Sequence, residues 1–121
     1  MRISVKGRNV PISEDLRDHV AKRFQKIGRQ VSELAELEVE LSEERNPSIG
    51  DSQIAEATLH LKGVTLRASE RSRDQTHSIN LCAEEIAVQV KRHRDKRRAR
   101  REARAVVQGD ISLQGDISPA T

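Results

Sequence analysis

An α+β fold is predicted for this chain: a β-α-β-β-β-α two-layer sandwich, with two helices on one face of a four-stranded sheet and the second helix extended. Three observations predict it. Apolar and polar residues alternate at period two in four short segments. In two other segments the apolar residues recur every three or four positions, the period of a helix with one buried stripe. The second of these runs on into a dense stretch of lysine and arginine that keeps helix-forming residues while losing its stripe.

The elements follow in order. Ile3 and Val5 alternate with Arg2, Ser4 and Lys6 as a half-buried strand, and Gly7-Arg8-Asn9 turns the chain. Ser13 can cap a helix with Glu14 and Asp15 in its first turn and Lys26 and Arg29 in its last, a charge order that suits the macrodipole. Its stripe is Leu16, Val20, Phe24, Ile27 and Val31. Leu37, Val39 and Leu41 make a second strand whose other face carries Glu38 and Glu40, and 46–51 is a loop by its turn residues. Ala55, Ala57, Leu59 and Leu61 make a third strand, and a tight Lys62-Gly63 turn leads into Val64, Leu66 and Ala68 of a fourth. The second helix starts near Asp74 or Thr76, buries Ile79, Cys82, Ala83, Ile86 and Val90, and continues to about Arg104. The first two strands, joined through a helix, are expected to be parallel with a right-handed crossover, and the later ones antiparallel. Both helices then cover the same face, which leaves Glu38, Glu40, Glu56, Thr58, His60 and Arg67 on an open face read as acidic.

At 121 residues the chain has room for one domain, placed at 1–104, and a flexible C-terminal tail at 105–121 in which Gln-Gly-Asp-Ile-Ser occurs twice. Phe24 is the sole aromatic residue, so the core must be aliphatic, and a sheet that stacks bases on aromatics is excluded. The single cysteine, Cys82, falls on the apolar stripe, where it reads as buried and inert. Neither a signal-type apolar run nor a membrane-length segment is present in the sequence, which points to a cytoplasmic protein.

Charge supplies the functional signal. Lys91–Arg104 holds nine Lys or Arg against Asp95 and Glu102, a net of +7, whereas the whole chain is only +3. The remainder is therefore at −4, with 13 basic against 17 acidic residues. A mildly acidic body with a concentrated cationic arm is the asymmetry of a phosphate-binding chain. Solvated helix faces usually mix signs, and a membrane-bound helix needs an apolar face where this arm offers only Ala99 and Ala103. Lys22, Arg23, Lys26 and Arg29 on the first helix join Lys91, Arg92, His93, Arg94, Lys96, Arg97, Arg98 and Arg101 on the second as candidate RNA-binding residues on the helical side. A Gly-x-x-Gly clamp is missing, so contacts should run to phosphates and sugars and read shape rather than base sequence.

An enzymatic role is not indicated. His19, His60, His77 and His93 lie on four different elements without metal-ligand spacing, and neither a Gly-rich phosphate loop nor a cysteine cluster accompanies them. No cofactor, metal, membrane or small-molecule substrate is expected, and the free protein is read as a monomer. The alternative reading is a general structured-RNA-binding or ribosome-assembly module.

The stretch Ile3-Ser4-Val5-Lys6-Gly7-Arg8-Asn9-Val10-Pro11-Ile12-Ser13-Glu14-Asp15-Leu16-Arg17-Asp18, followed by Arg23-Phe24-Gln25-Lys26-Ile27, resembles the N-terminal domain of ribosome hibernation promoting factors. These are also called ribosome-associated inhibitors or sigma factor modulation proteins. Ala55–Leu61, Leu66–Ser69 and Gln89–Lys96 are similar to the third strand, fourth strand and basic helix end of that family. The resemblance, over about residues 1–100, implies a short-form factor bound to the small ribosomal subunit and the 70S ribosome. There it would fill the cleft of messenger RNA and the A- and P-site transfer RNAs, block translation and preserve idle ribosomes in starvation or stationary phase. It implies that Arg23, Lys26, Arg92, His93, Arg94 and Lys96 face ribosomal RNA. One segment departs: where the family often has Asp-Met-Tyr-x-Ala-Ile-Asp, this chain has Asp74-Gln75-Thr76-His77-Ser78-Ile79-Asn80.

Overall fold

Alternation in the strands and 3.6-residue spacing in the helices produce the order β1 (Arg2–Gly7), α1 (Glu14–Gly28), β2 (Glu36–Glu43), β3 (Gln53–Leu61), β4 (Val64–Ser72) and α2 (Gln75–Gln114). The computed structural model describes the backbone of residues 1–46, 48 and 50–114, and side chains as far as Arg104. Parts of the loop expected at 46–51 and of the tail expected at 105–121 thus lie outside the described residues. The helix expected to stop near Arg104 is described as far as Gln114. Met1–Val90 and Lys91–Thr121 form two separate units.

The sheet order is β1-β2-β3-β4, with β1 and β2 parallel and the remaining pairs antiparallel. Register aligns Ile3, Leu37, Leu59 and Leu66 in one row and Val5, Val39, Ala57 and Ala68 in the next. Over this face lie Val20, Phe24 and Ile27 of α1 and Ile79, Cys82, Ala83, Ile86 and Val90 of α2, all buried in one cluster. The small side chains of Ala55, Ala57 and Ala68 leave depth for α2. Cys82 Sγ reaches the Ala55 carbonyl at 2.9 Å.

Local chemistry fixes the ends of the elements. Ser13 Oγ accepts the Leu16 amide at 3.1 Å as the α1 cap, and the Arg29 and Gln30 amides close the C-terminus on Lys26 O and Ile27 O. Gly63, at φ 83, takes the left-handed conformation that lets a two-residue turn join Leu61 to Val64. Gly7 is required for space, because a Cβ there would run into the Val10 carbonyl and the Ile12 side chain. Just beyond it, the Asn9 side chain donates to Glu43 O and accepts the Glu43 amide, both at 2.8 Å. That amide extends the β1–β2 ladder past the end of the strand. Sequence reading placed Asn9 only in a turn.

The start of α2 is seated by polar contacts. Gln75 Nε2 donates to Ser42 O at 2.9 Å and to Gln53 Oε1 at 3.0 Å. The buried Ser78 hydroxyl donates to Gln53 O at 2.8 Å and lies 2.7 Å from that of Ser72. Buried hydroxyls are tolerated when they are bonded in this way.

Phe24 is fully buried at the centre of the core. Phe24→Ala should therefore cost about 3–5 kcal/mol, against about 1 kcal/mol for loss of the cap in Ser13→Ala. Urea denaturation of the two variants checks the order. Similar midpoints for both would contradict the packing.

Candidate nucleic-acid interface

With one face of α1 committed to the core, its cations are left on the other, whereas those of α2 lie beyond Val90, its last buried residue among those described. Lys22, Arg23, Lys26 and Arg29 are all exposed, while Val20, Phe24 and Ile27 of the same helix are buried. α1 and α2 lie side by side at His19 and Asn80, whose Nε2 and Oδ1 are 2.8 Å apart. Three, four and seven residues after His19 come Lys22, Arg23 and Lys26, which line an open groove between the two helices. Its volume is about 230 Å³, and Ile27, Gln30, Ala83, Glu84 and Ala87 complete the lining. Alanines at 83 and 87 make the groove, since longer side chains there would fill it. Arg29, the C-cap residue of α1, is exposed but is not among the groove residues.

The second group of candidates lies on α2. Lys91, Arg92, Arg94, Lys96, Arg97, Arg98 and Arg101 are exposed and His93 is half-buried. Arg100 and Arg104 belong to the same exposed set, and the same count of charge identifies them. Arg94, Arg97, Arg98 and Arg101 stand at i, i+3, i+4 and i+7, so the helix carries like charges at its closest side-chain spacings. Such a surface lowers its own repulsion by gathering anions, and arginine can hold a phosphate through two parallel N–H bonds.

The open face of the sheet differs from expectation. Its centre is acidic as foreseen, with Glu36, Glu38 and Glu40 on β2 and Glu56 on β3. However, Arg2 and Lys6 on β1 and Arg67 and Arg71 on β4 place a cationic rim on either side. Arg2 pairs with Glu36 and Lys6 with Glu40, each at 3.7 Å, and His60 Nε2 lies 3.5 Å from Glu38. The face is therefore balanced rather than acidic. The correction arises because strand order, which no single segment encodes, decides which charges become neighbours.

The family described as sigma 54 modulation protein / S30EA ribosomal protein matches residues 3–98. The chain belongs to that family. It is 32% identical over 96 residues to a ribosome hibernation promoting factor of Salmonella typhimurium, covering 79% of this chain and 96% of the relative. Against the ribosome hibernation promotion factor of Picosynechococcus sp. it is 30% identical over 97 residues, 79% of this chain but only half of that relative. Among solved structures, the N-terminal domain of Thermus thermophilus Protein Y aligns with a TM-score of 0.65 at 28% identity, over 77% of this chain and 99% of that one. A ribosomal subunit interface protein from Coxiella burnetii shares the fold, with a TM-score of 0.67 at 20% identity over 78% and 99%.

The segment that departs from the family pattern has a structural role of its own. Gln75, Ser78 and Asn80 make the polar contacts that seat α2 on β2, β3 and α1. Hydrogen bonds fix this end of the helix. Sequence reading registered the departure but not its partners, which are 22 to 61 positions away.

Cys82 lies in the core, apart from the exposed cations. Burial, reinforced by the negative charge of Glu70, pushes its thiol up from 9.0 to about 12. Because the neutral thiol is favoured in the fold, the unfolded chain loses this proton first as pH rises. The resulting contribution is intact below pH 9 and declines between 9 and about 12. A thiol reagent at pH 8 should leave the native protein unmodified and react once urea unfolds it. Rapid native labelling would contradict the buried position.

The arm generates a second expectation. Adding sulfate or phosphate should screen Lys91–Arg104 and raise helical ellipticity at constant temperature. A flat response would show that repulsion among these charges does not limit the helix.

Proposed function

We propose that this protein is a non-enzymatic ribosome hibernation factor. It acts in the cytoplasm on the small ribosomal subunit and the 70S ribosome, in the cleft used by messenger RNA and the A- and P-site transfer RNAs. By filling that cleft it blocks translation and preserves inactive ribosomes during starvation.

The observation that carries the reading is the division of charge by face. Exposed cations concentrate on the helices, whereas the open sheet face is balanced and lacks aromatic platforms. That division supports a helix-side, phosphate-directed contact. The relatives named as ribosome hibernation promoting factors supply the ribosome as the target. A folded ribonucleoprotein cleft also suits the energetics, because phosphate contacts alone hold free RNA weakly at physiological salt. Preorganised walls on several sides compensate for the absence of base-specific contacts.

In sucrose gradients the protein should travel with small subunits and 70S particles, and a variant with Arg92, Arg94 and Lys96 changed to glutamate should remain at the top. Unchanged association of that variant would remove α2 from the interface. With about five phosphates neutralised, the logarithm of the binding constant should fall against that of salt with a slope of about −3.5 to −4.5. A general RNA-binding module differs in one respect: it binds free structured RNA about as well as it binds ribosomes.

A further inference from the structure

The groove between α1 and α2 combines two kinds of chemistry. Lys22, Arg23 and Lys26 present cations from α1, and Glu84 presents a carboxylate from α2, with Ala83 and Ala87 lining the space beside it. Glu84 is exposed, and among the described residues it forms no ion pair within 4.0 Å with any of the three cations. A carboxylate in a groove that binds phosphates is unfavourable unless the ligand also brings a hydrogen-bond donor to it. A phosphodiester backbone alone has none. A nucleotide does, either in the ribose 2′-hydroxyl or in the N–H groups of a base edge.

We infer that Glu84 is a specificity-determining residue of the groove, accepting a hydrogen bond from an O–H or N–H donor of the RNA whose phosphates are held by Lys22, Arg23 and Lys26. This rests on the reading of the helical side as the RNA interface and assigns to it a contact that is not made to phosphate. The volume, about 230 Å³, suits a part of one nucleotide rather than a duplex. Glu84 thus penalises polyanions that offer charge without a donor, and discrimination arises at a site otherwise built from charge.

The test depends on sign. If Glu84 were a bystander, Glu84→Ala would remove a repulsive charge and tighten binding. Under the inference it weakens binding by roughly tenfold, because alanine has no acceptor and the hydrogen bond to a charged group is lost. The full chain, Glu84→Ala and Lys22→Glu/Lys26→Glu are compared for binding to purified small subunits, and at low salt to an RNA hairpin and a DNA hairpin of the same sequence. Weakening by Glu84→Ala on small subunits and on the RNA hairpin supports the inference. Weakening confined to RNA identifies the 2′-hydroxyl as donor, and equal weakening on RNA and DNA identifies a base. Unchanged or tighter binding by Glu84→Ala, with binding lost in Lys22→Glu/Lys26→Glu, overturns the role of Glu84 and leaves the RNA-binding groove in place. Undiminished binding by the double variant overturns the groove itself. If only the free hairpins bind, the ribosome is the wrong target while the role of Glu84 is still decided by the hairpin comparison.

Discussion

Burial of one sheet face beneath two helices is the constraint on which the other features depend. With a single aromatic residue available, the core must be assembled from aliphatic rows such as Ile3, Leu37, Leu59 and Leu66, closed by Phe24, Ile79 and Ile86. α1 thereby commits one face to the core and carries its cations on the other, and α2 commits one face as far as Val90. The cations of α1 owe their exposure to the depth at which Val20, Phe24 and Ile27 are buried. The open sheet face follows from the same constraint, because period-two alternation sends the odd or even set of each strand to water.

Electrostatics is then arranged around this frame rather than contributing much to it. The ion pairs Arg2–Glu36 and Lys6–Glu40 are solvent-facing and long at 3.7 Å, and such pairs contribute little to stability. Glu40 and Glu56 stand directly opposite each other across β2 and β3, a like-charge pairing that opposes sheet formation. The fold tolerates it because the core beneath is continuous. On α2 the accumulation of like charge is larger and falls on Lys91–Arg104, which belongs to the second unit, Lys91–Thr121, while the core belongs to Met1–Val90.

Much of this could be read from the sequence because it depends on local periodicity. The Ser13 cap, the Lys62-Gly63 turn, the buried stripe from Ile79 to Val90 and all four strands follow from patterns within a few residues. The features that escaped are non-local. Asn9 completes a ladder with Glu43, 34 positions away, and His19 meets Asn80, 61 positions away. Neither side chain announces its partner. The groove beside Lys22 needs both helices in place, so its alanines read only as part of a stripe, and the rim cations of the sheet become visible once strand order is known. Charge counting needs none of those details, because the α1 cations require only that Val20, Phe24 and Ile27 be buried on the opposite face, and the α2 cations lie beyond Val90, where the buried stripe ends.

The central claim is that the protein meets ribosomal RNA through its helical side. A cryo-electron microscopy map of the full chain bound to the small ribosomal subunit tests it most directly. The account predicts ribosomal RNA phosphates against Lys22, Arg23 and Lys26 of α1 and against the Lys91–Arg104 stretch of α2, with Glu38, Glu40 and Glu56 of the sheet turned away from RNA. A map with the open sheet face against RNA and the α1 cations in solvent would contradict it.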